Sequence, residues 1–200
     1  MKISIISGST RVGSQSLKVA NYISNFLISI NCDSVVVDLA TLKIKEWDQS
    51  FWSNEEFDHN WTIVKHNLED SDAIVVVAPE WDGSIPSGLK NFFHLATKGE
   101  IANKPALIVS VSAGPNGVYP VTELRSSCYK NSFVCYIPQH VIVRFVNDVL
   151  NDFNNYQNDN DKEIRNRLNA SLKVLSEYAS ALRVLRNSDA IRDYSYPYGM

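Results

Sequence analysis

The sequence has few cysteines and histidines, and neither residue type is spaced for metal binding. The cysteines are Cys32, Cys128 and Cys135, and they form no Cys-x-x-Cys motif, while the four histidines form no His-x-x-x-His motif. An odd number of cysteines also argues against a closed set of disulfides. We therefore expect no metal site, and we expect the cysteines to be reduced, buried packing residues.

Long apolar runs are absent as well. The longest, such as Ala73 to Pro79, fall far short of the roughly 20 residues that a membrane-spanning helix needs. The start of the chain, Met1 to Ser4, leads directly into a strand pattern and lacks the apolar stretch of a signal peptide. We therefore expect no membrane association and a cytoplasmic location.

Charge of one sign does not accumulate anywhere in the chain. The 19 basic and 22 acidic residues give a formal net charge of -3, so no basic stripe is available for a phosphate backbone. We expect no nucleic-acid partner. With 200 residues, of which 44% are hydrophobic, the chain is predicted to form one domain spanning residues 1–200.

Short runs rich in β-branched residues predict the strands of a sheet. Their apolarity is nearly continuous rather than alternating, which is typical of strands buried on both faces of a parallel sheet. The predicted strands are Ile3 to Ile6, Ser34 to Val37, Ala73 to Ala78, Ala106 to Val111 and Val141 to Val146.

Helical patterns separate these strands. In the first helix, apolar residues recur at steps of three and four from Leu17 to Ile30 and so share one face. A polar connector rich in Asn and Asp is predicted for Asn147 to Asp161. The remaining predicted helices are Glu55 to Leu68, Pro86 to Thr97, Val121 to Lys130 and a last one with an apolar stripe from Ile164 to Leu185.

The alternation of strands and helices predicts the fold class. Short connections imply right-handed crossovers with helices on both faces of the sheet. Five strands are too few for the six-stranded dinucleotide fold but match the flavodoxin-like order 2-1-3-4-5. We predict an α/β, flavodoxin-like three-layer sandwich with a five-stranded parallel sheet. Its ligand should bind beyond the carboxyl ends of strands one, three and four.

The loop after the first strand has the composition of a phosphate site. Ser7 to Ser16 combines glycines, hydroxyl side chains and Arg11 immediately before a helix, whose N-terminus attracts negative charge. Gly8 and Gly13 have the spacing of a P-loop, but Ser14 stands where that motif needs lysine, which disfavours nucleoside triphosphate hydrolysis. A serine-capped helix start is the alternative interpretation of any single serine here.

Three motifs in these loops resemble the NAD(P)H-dependent FMN reductases, a flavodoxin-like family that includes quinone, chromate and azo-dye reductases. Gly8-Ser9-x-Arg11-x-x-Ser14 is similar to the family's phosphate loop. Pro79 to Pro86, which reads Pro-Glu-Trp-Asp-Gly-Ser-Ile-Pro, resembles its flavin loop together with Leu89-Lys90-Asn91, and Ser112-Ala113-Gly114 resembles a loop on the other side of the ring. The resemblance covers residues 1 to 146.

The resemblance implies FMN as the cofactor, NAD(P)H as the reductant and a small-molecule acceptor. A quinone, an azo compound, a metal oxyanion or free flavin would accept the hydride, and the protein need supply no catalytic side chain. The implied phosphate contacts are Ser9, Arg11, Ser14, Gln15 and Ser16, the implied isoalloxazine contacts are Pro79, Glu80, Trp81, Asp82 and Gly83, and Ser112 and Gly114 would line the far side of the ring.

Three positions depart from the family pattern. Trp81 replaces a usual tyrosine, Asp82 a usual asparagine, and Ser16 a common asparagine. The Asp82 carboxylate could face the flavin and lower its reduction potential, or turn toward the helix that begins near Pro86 and stabilise the loop. We favour the second orientation, because a charge is better compensated at a helix start than beside an electron-rich ring.

Two other functions fit the same fold. A flavodoxin-type electron carrier would serve protein partners, although its usual strongly acidic surface does not agree with a net charge of -3. A binding or regulatory domain without flavin is the other alternative. The resemblance also implies a homodimer or homotetramer. The aromatic residues Trp47, Phe51, Trp52 and Phe57 would mostly pack in the core, while exposed ones would suit an interface between subunits.

Overall fold

The chain forms a five-stranded parallel sheet in a computed structural model that describes residues 1–53 and 57–192. The strand order is β2-β1-β3-β4-β5, and every neighbouring pair is parallel. This order confirms the predicted flavodoxin-like class. The strands are β1 (Lys2–Ser7), β2 (Asp33–Asp38), β3 (Ala73–Pro79), β4 (Pro105–Val111) and β5 (Cys135–Val143).

Helices cover both faces of the sheet. The predicted first, third, fourth and last helices are all present, with ends shifted by a few residues. The second begins at His59 rather than Glu55, which lies outside the described residues. The helices are α1 (Gln15–Ser29), α2 (Leu39–Leu42), α3 (Ser50–Ser53), α4 (His59–Glu69), α5 (Ser87–Leu95), α6 (Tyr119–Ser126), α7 (Asp159–Arg186) and α8 (Asp189–Arg192).

Two hydrophobic cores lie on opposite sides of the sheet. Successive strand residues point to opposite faces, so Ile5 packs with α1 and α7 while Ile6 packs with α4, α5 and α6. Every residue of β3 and β4 is buried. Burial on both faces explains why the sequence of these strands is apolar without alternation.

The prediction for the fifth strand was wrong in its position. The strand is Cys135–Val143 rather than Val141 to Val146, and Val146 begins a short 3-10 helix. Pro138 lacks an N–H group and would interrupt a central strand, but β5 is at the edge of the sheet, where one side needs no donor. A register shift between Ala106 and Ile108 accommodates the irregularity.

The predicted polar connector extends too far, because Asp161 is a fully buried residue in the first turn of α7. Its carboxylate accepts hydrogen bonds from Nε and Nη2 of Arg165, at 2.8 and 3.0 Å. It also accepts bonds from the amides of Leu150 and Gln157, at 3.0 and 2.9 Å. This buried ion pair fixes the connector against α7.

The cysteines are free, but only Cys32 is buried, so that expectation was wrong for the other two. Cys128 follows α6 and Cys135 begins the edge strand, and both positions leave the side chain partly exposed. Among the helices in residues 1–53 and 57–192, none is long and apolar enough to cross a membrane.

Candidate active site at the carboxyl ends of β1, β3 and β4

The loop after β1 is held close to the neighbouring loop by glycines. The amide of Gly8 donates to the carbonyl of Val77 at 2.9 Å, and a Cβ at Gly8 would lie 2.8 Å from a methyl group of Leu89. A Cβ at Gly88, at the start of α5, would overlap the Thr10 side chain. The loop therefore packs against the start of α5 as tightly as glycine allows.

The predicted phosphate contacts divide into structural and free groups. Ser14 caps α1 by accepting a hydrogen bond from the amide of Leu17 at 3.1 Å, as the alternative interpretation of a serine here anticipated. The buried Ser9 accepts one from the amide of Arg11 at 3.2 Å. Ser16 is buried in the first turn of α1, and Gln15 is exposed. The exposed guanidinium of Arg11 has no partner within the described parts of the chain.

The loop after β3 forms a two-residue hairpin turn. Trp81 and Ser84 exchange backbone hydrogen bonds of 2.9 Å in both directions. Between them, Asp82 and Gly83 have positive φ angles of 50° and 67°. Asp-Gly is a preferred pair for such a type I′ turn, because aspartate and asparagine tolerate the left-handed conformation and glycine adopts it without strain. Asp82 therefore meets the same backbone requirement as the asparagine that is usual at this position.

The Asp82 carboxylate is exposed and has no hydrogen-bond partner in the described part of the chain. The orientation toward the helix start, which the sequence analysis favoured, therefore has no supporting contact. Glu123 of α6 stabilises the end of this loop instead. Its Oε2 atom accepts hydrogen bonds from the amide of Ile85 at 2.7 Å and from the hydroxyl of Ser84 at 3.0 Å.

Glu123 is also paired with a lysine. Its Oε1 atom lies 2.7 Å from the ammonium of Lys90 on α5. Burial disfavours the charged form of Glu123, but the bonds from Lys90, Ile85 and Ser84 outweigh it and lower the pKa of the carboxyl. The same contact raises the pKa of Lys90. Glu123 was not predicted as a site residue, since nothing in the local sequence links it to a loop 38 residues earlier.

Pro79 and Glu80 connect this loop to the one after β4. Pro79 is the last, buried residue of β3. The amide of Glu80 donates to the carbonyl of Val111 at 3.0 Å, and its side-chain Oε2 accepts from the amide of Gly117 at 2.7 Å. The Glu80 amide and one oxygen of its carboxylate are therefore occupied by the protein itself, which leaves its backbone carbonyl and Oε1 as the parts able to contact a ligand.

The loop after β4 contains the remaining predicted residues. The Ser112 hydroxyl accepts a hydrogen bond from the amide of Gly114 at 3.2 Å, and both residues bond to the chain after β5 through their backbones. Gly117 has φ of 107°, and a Cβ there would lie 2.5 Å from Ile142. Two contacts therefore bring the three predicted loops together. Thr10 packs against Gly88, and Glu80 accepts a hydrogen bond from Gly117.

Tyr119 is a second residue of this region that the sequence analysis missed. It begins α6, is 59% exposed, and lies 3.9 Å from the position that a Cβ would take at Gly83. Val118 beside it is 51% exposed. Large apolar side chains adjoining a polar loop provide a surface on which a flat molecule can rest.

The aromatic residues after β2 are split between core and surface. Phe51 and Phe57 are buried, whereas Trp47 and Trp52 are 39% and 54% exposed. Two grooves of about 760 and 740 Å³ flank α5 and share Trp47, Lys90 and His94. The first groove reaches Thr10 in the loop after β1.

The chemistry of these loops fits the two ends of FMN. No group in the described parts of the chain accepts a hydrogen bond from the amides of Ser9, Thr10, Val12 and Gly13, so these donors and Arg11 are available to an anion. The amides of Asp82 and Gly83 are likewise without a described acceptor. A phosphate therefore suits the first loop, and the polar edge of a flat ring suits the second.

Comparison with known proteins agrees with this arrangement. The chain matches the NADPH-dependent FMN reductase family over residues 1–148. It is 30% identical over 127 residues to an FMN-dependent NADPH-azoreductase of Staphylococcus saprophyticus, an alignment that covers 62% of this chain and 68% of that protein. It is 29% identical over 119 residues to a quinone reductase of Pseudomonas putida, covering 58% of this chain and 62% of that protein, slightly less than two thirds of its length.

A solved structure supports the fold. The flavoenzyme NAD(P)H:(acceptor) oxidoreductase FerB of Paracoccus denitrificans superposes with a TM-score of 0.74 at 16% identity, over 90% of this chain and 97% of that one. The match to the family covers most of the chain and includes all three loops of the candidate site. The chain therefore belongs to the NADPH-dependent FMN reductase family, for which FMN and NAD(P)H are the cofactors.

Proposed function

We propose that this chain binds FMN and transfers reducing equivalents from NAD(P)H to a small acceptor such as a quinone, an azo compound, a metal oxyanion or free flavin. The observation that carries the proposal is the junction of three loops, one with open amides and the free guanidinium of Arg11 and another with the two open amides of the Asp82-Gly83 turn. The azoreductase and quinone reductase relatives support the choice of acceptor class.

Each loop has a separate part in this proposal. The phosphate is held by the amides of Ser9, Thr10, Val12 and Gly13, by the guanidinium of Arg11, and by the start of α1 at Gln15 and Ser16. The backbone of Pro79 to Gly83 contacts the ring on one side, and Ser112 and Gly114 line the other. When bound, FMN supplies the hydride chemistry, and the protein supplies binding, orientation and exclusion of competing reactions. No acid or base side chain is required.

Steady-state kinetics test the activity. NADH and NADPH are each varied against a panel of a quinone, an azo dye and free FMN, with FMN-loaded protein. Because both substrates need the same face of the ring, we expect parallel double-reciprocal lines, the pattern of a ping-pong mechanism. Intersecting lines for every acceptor would contradict a shared face and show that both substrates bind together.

The alternative functions make different predictions in the same samples. An electron carrier would bind FMN but would not oxidise either nicotinamide nucleotide. A binding or regulatory domain would stay colourless after incubation with FMN. The modest net charge of -3 favours the enzyme over the carrier.

We also propose that the chain acts in the cytoplasm as a homodimer or homotetramer assembled through the exposed tryptophans. The rings of Trp47 and Trp52 lie 6.5 Å apart in an edge-to-face arrangement beside the grooves along α5. Exposed aromatic residues of this kind are enriched in interfaces between proteins. A Trp47→Ser, Trp52→Ser variant should sediment as a smaller species than the wild type. An unchanged sedimentation coefficient would place the interface elsewhere.

A further inference from the structure

Glu123 stabilises the hairpin turn although it lies outside the loop to which the turn belongs. Its carboxylate bonds to Ile85 and Ser84 on one side and to Lys90 on the other, although it belongs to α6. These contacts span 38 and 39 residues of sequence. Glu123 thereby fixes the position of the hairpin relative to the segment after β4.

The hairpin needs such support because it is very short. A single bridge between Trp81 and Ser84 closes it, and isolated hairpins are marginally stable in water. The strand that enters it is fixed by the bonds of Glu80 to Val111 and Gly117. On the exit side, Ser84 and Ile85 are fixed by Glu123.

The supported turn presents two unpaired amides, those of Asp82 and Gly83, in the described structure. Their direction is set by positive φ angles at both residues. A ligand that accepts hydrogen bonds from these amides binds best when the turn is already formed, because no further ordering is then needed. Any loss of order in the turn therefore appears as a loss of ligand affinity.

We propose that Glu123 is a positioning residue for the flavin site, one that sets the conformation of the Asp82-Gly83 turn without itself contacting FMN. This inference rests on the proposed function, because FMN is the ligand whose affinity reports on the turn. Lys90 has a different part in the network, since it neutralises the carboxylate, and none of the described hydrogen bonds or ion pairs joins it to Asp82 or Gly83.

Three substitutions separate these contributions. Glu123→Ala removes both bonds to the loop, and the dissociation constant of FMN should rise by about tenfold or more. Glu123→Gln retains an acceptor oxygen but loses the charge that strengthens its bonds, and the rise should be roughly two- to fivefold. Lys90→Met keeps both bonds to the loop and should change FMN affinity less than Glu123→Ala.

The matched control is Glu163→Gln on α7. Glu163 is exposed, and none of the described hydrogen bonds or ion pairs involves its side chain. This variant removes the same charge at a distance from the loops, so its FMN affinity and thermal stability should equal those of the wild type.

Three measurements are made on each protein, the first of which is the melting temperature. Fluorescence titration gives the dissociation constant of FMN, and amide hydrogen exchange of residues 81–85 is followed in the protein without flavin. We expect Glu123→Ala to lose protection at Ser84 and Ile85 in addition to its loss of affinity. A purely structural role would lower the melting temperature while leaving the dissociation constant unchanged.

The results also separate failure of this inference from failure of the proposed function. If the wild type binds FMN and both Glu123 variants bind it equally well, Glu123 does not position the turn. If the wild type does not bind FMN, the proposed function fails, and this inference fails with it as a statement about a flavin site. Unchanged hydrogen exchange at residues 81–85 in Glu123→Ala would overturn the inference independently of FMN. Glu123→Gln provides the affinity test if Glu123→Ala does not fold.

Discussion

Gly83→Ala tests whether the Asp82-Gly83 turn is held in its left-handed conformation by the protein or by bound FMN. Gly83 has φ of 67°, and an added Cβ would meet only the ring of Tyr119 at 3.9 Å, an ordinary contact distance. The substitution therefore introduces backbone strain without a steric clash. The left-handed conformation costs a residue with a Cβ about 1–2 kcal/mol, which corresponds to roughly five- to thirtyfold in an equilibrium constant.

The strain can appear in either of two measured quantities, the free energy of unfolding or the dissociation constant of FMN. If the turn keeps its conformation in the protein without flavin, the free energy of unfolding falls by about 1–2 kcal/mol and FMN affinity is unchanged. If the turn relaxes, the free energy of unfolding is retained and FMN must restore the conformation, so its dissociation constant rises. In both cases the sum of the two losses equals the strain.

Urea denaturation and fluorescence titration with FMN measure the two losses. Gly99→Ala is the matched control, since Gly99 also has a positive φ, of 100°, with nothing within 4 Å, but precedes β4 at the opposite end of the sheet. It should lose stability without losing FMN affinity. A Gly83→Ala variant that matches the wild type in both assays would show that the turn is not strained by a Cβ, and a Gly99→Ala variant that weakens FMN binding would show that the affinity loss is not specific to the turn.

Three further predictions concern single side chains. Arg11→Ala should weaken FMN binding roughly ten- to a hundredfold, because it removes one charge-assisted phosphate contact, and an unchanged titration would place the phosphate elsewhere. Asp161→Asn should lower the free energy of unfolding by about 3–5 kcal/mol, because Arg165 is left buried without its partner. Burial opposes the charged form of Asp161, but Arg165 and two amides lower its pKa, so the stability it contributes is present above pH 3.8 and falls at lower pH. Urea denaturation at pH 7 and pH 3 should thus show a smaller acid loss in the variant than in the wild type. Burial lowers the pKa of Lys104 to about 8, so the native state binds fewer protons than the unfolded state between pH 8 and 10.5. The free energy of unfolding should rise across that range relative to Lys104→Met, and parallel pH profiles would contradict this.

The parts of the fold with local signals were predictable from the sequence. Continuous apolarity indicated the buried strands β3 and β4, and recurring apolar steps indicated α1 and α7. The fifth strand was misplaced because Pro138 looks like a strand breaker unless the strand is known to be at an edge.

The contacts that organise the candidate site had no local signal. Glu80 with Gly117 and Glu123 with Ile85 connect residues nearly 40 positions apart, and only the register of β3 and β4 brings them together. Asp161 resembled the polar residues around it, because a buried carboxylate is identified by its partner Arg165 rather than by its own neighbours.

Anaerobic titration of the FMN-loaded protein with NADPH, and separately with NADH, shows whether bound flavin accepts hydride from a nicotinamide nucleotide. We expect at least one nucleotide to abolish the visible flavin absorbance at about one equivalent, since hydride transfer moves two electrons in one step. Flavin that stays oxidised with an excess of both nucleotides would contradict the account and favour an electron carrier.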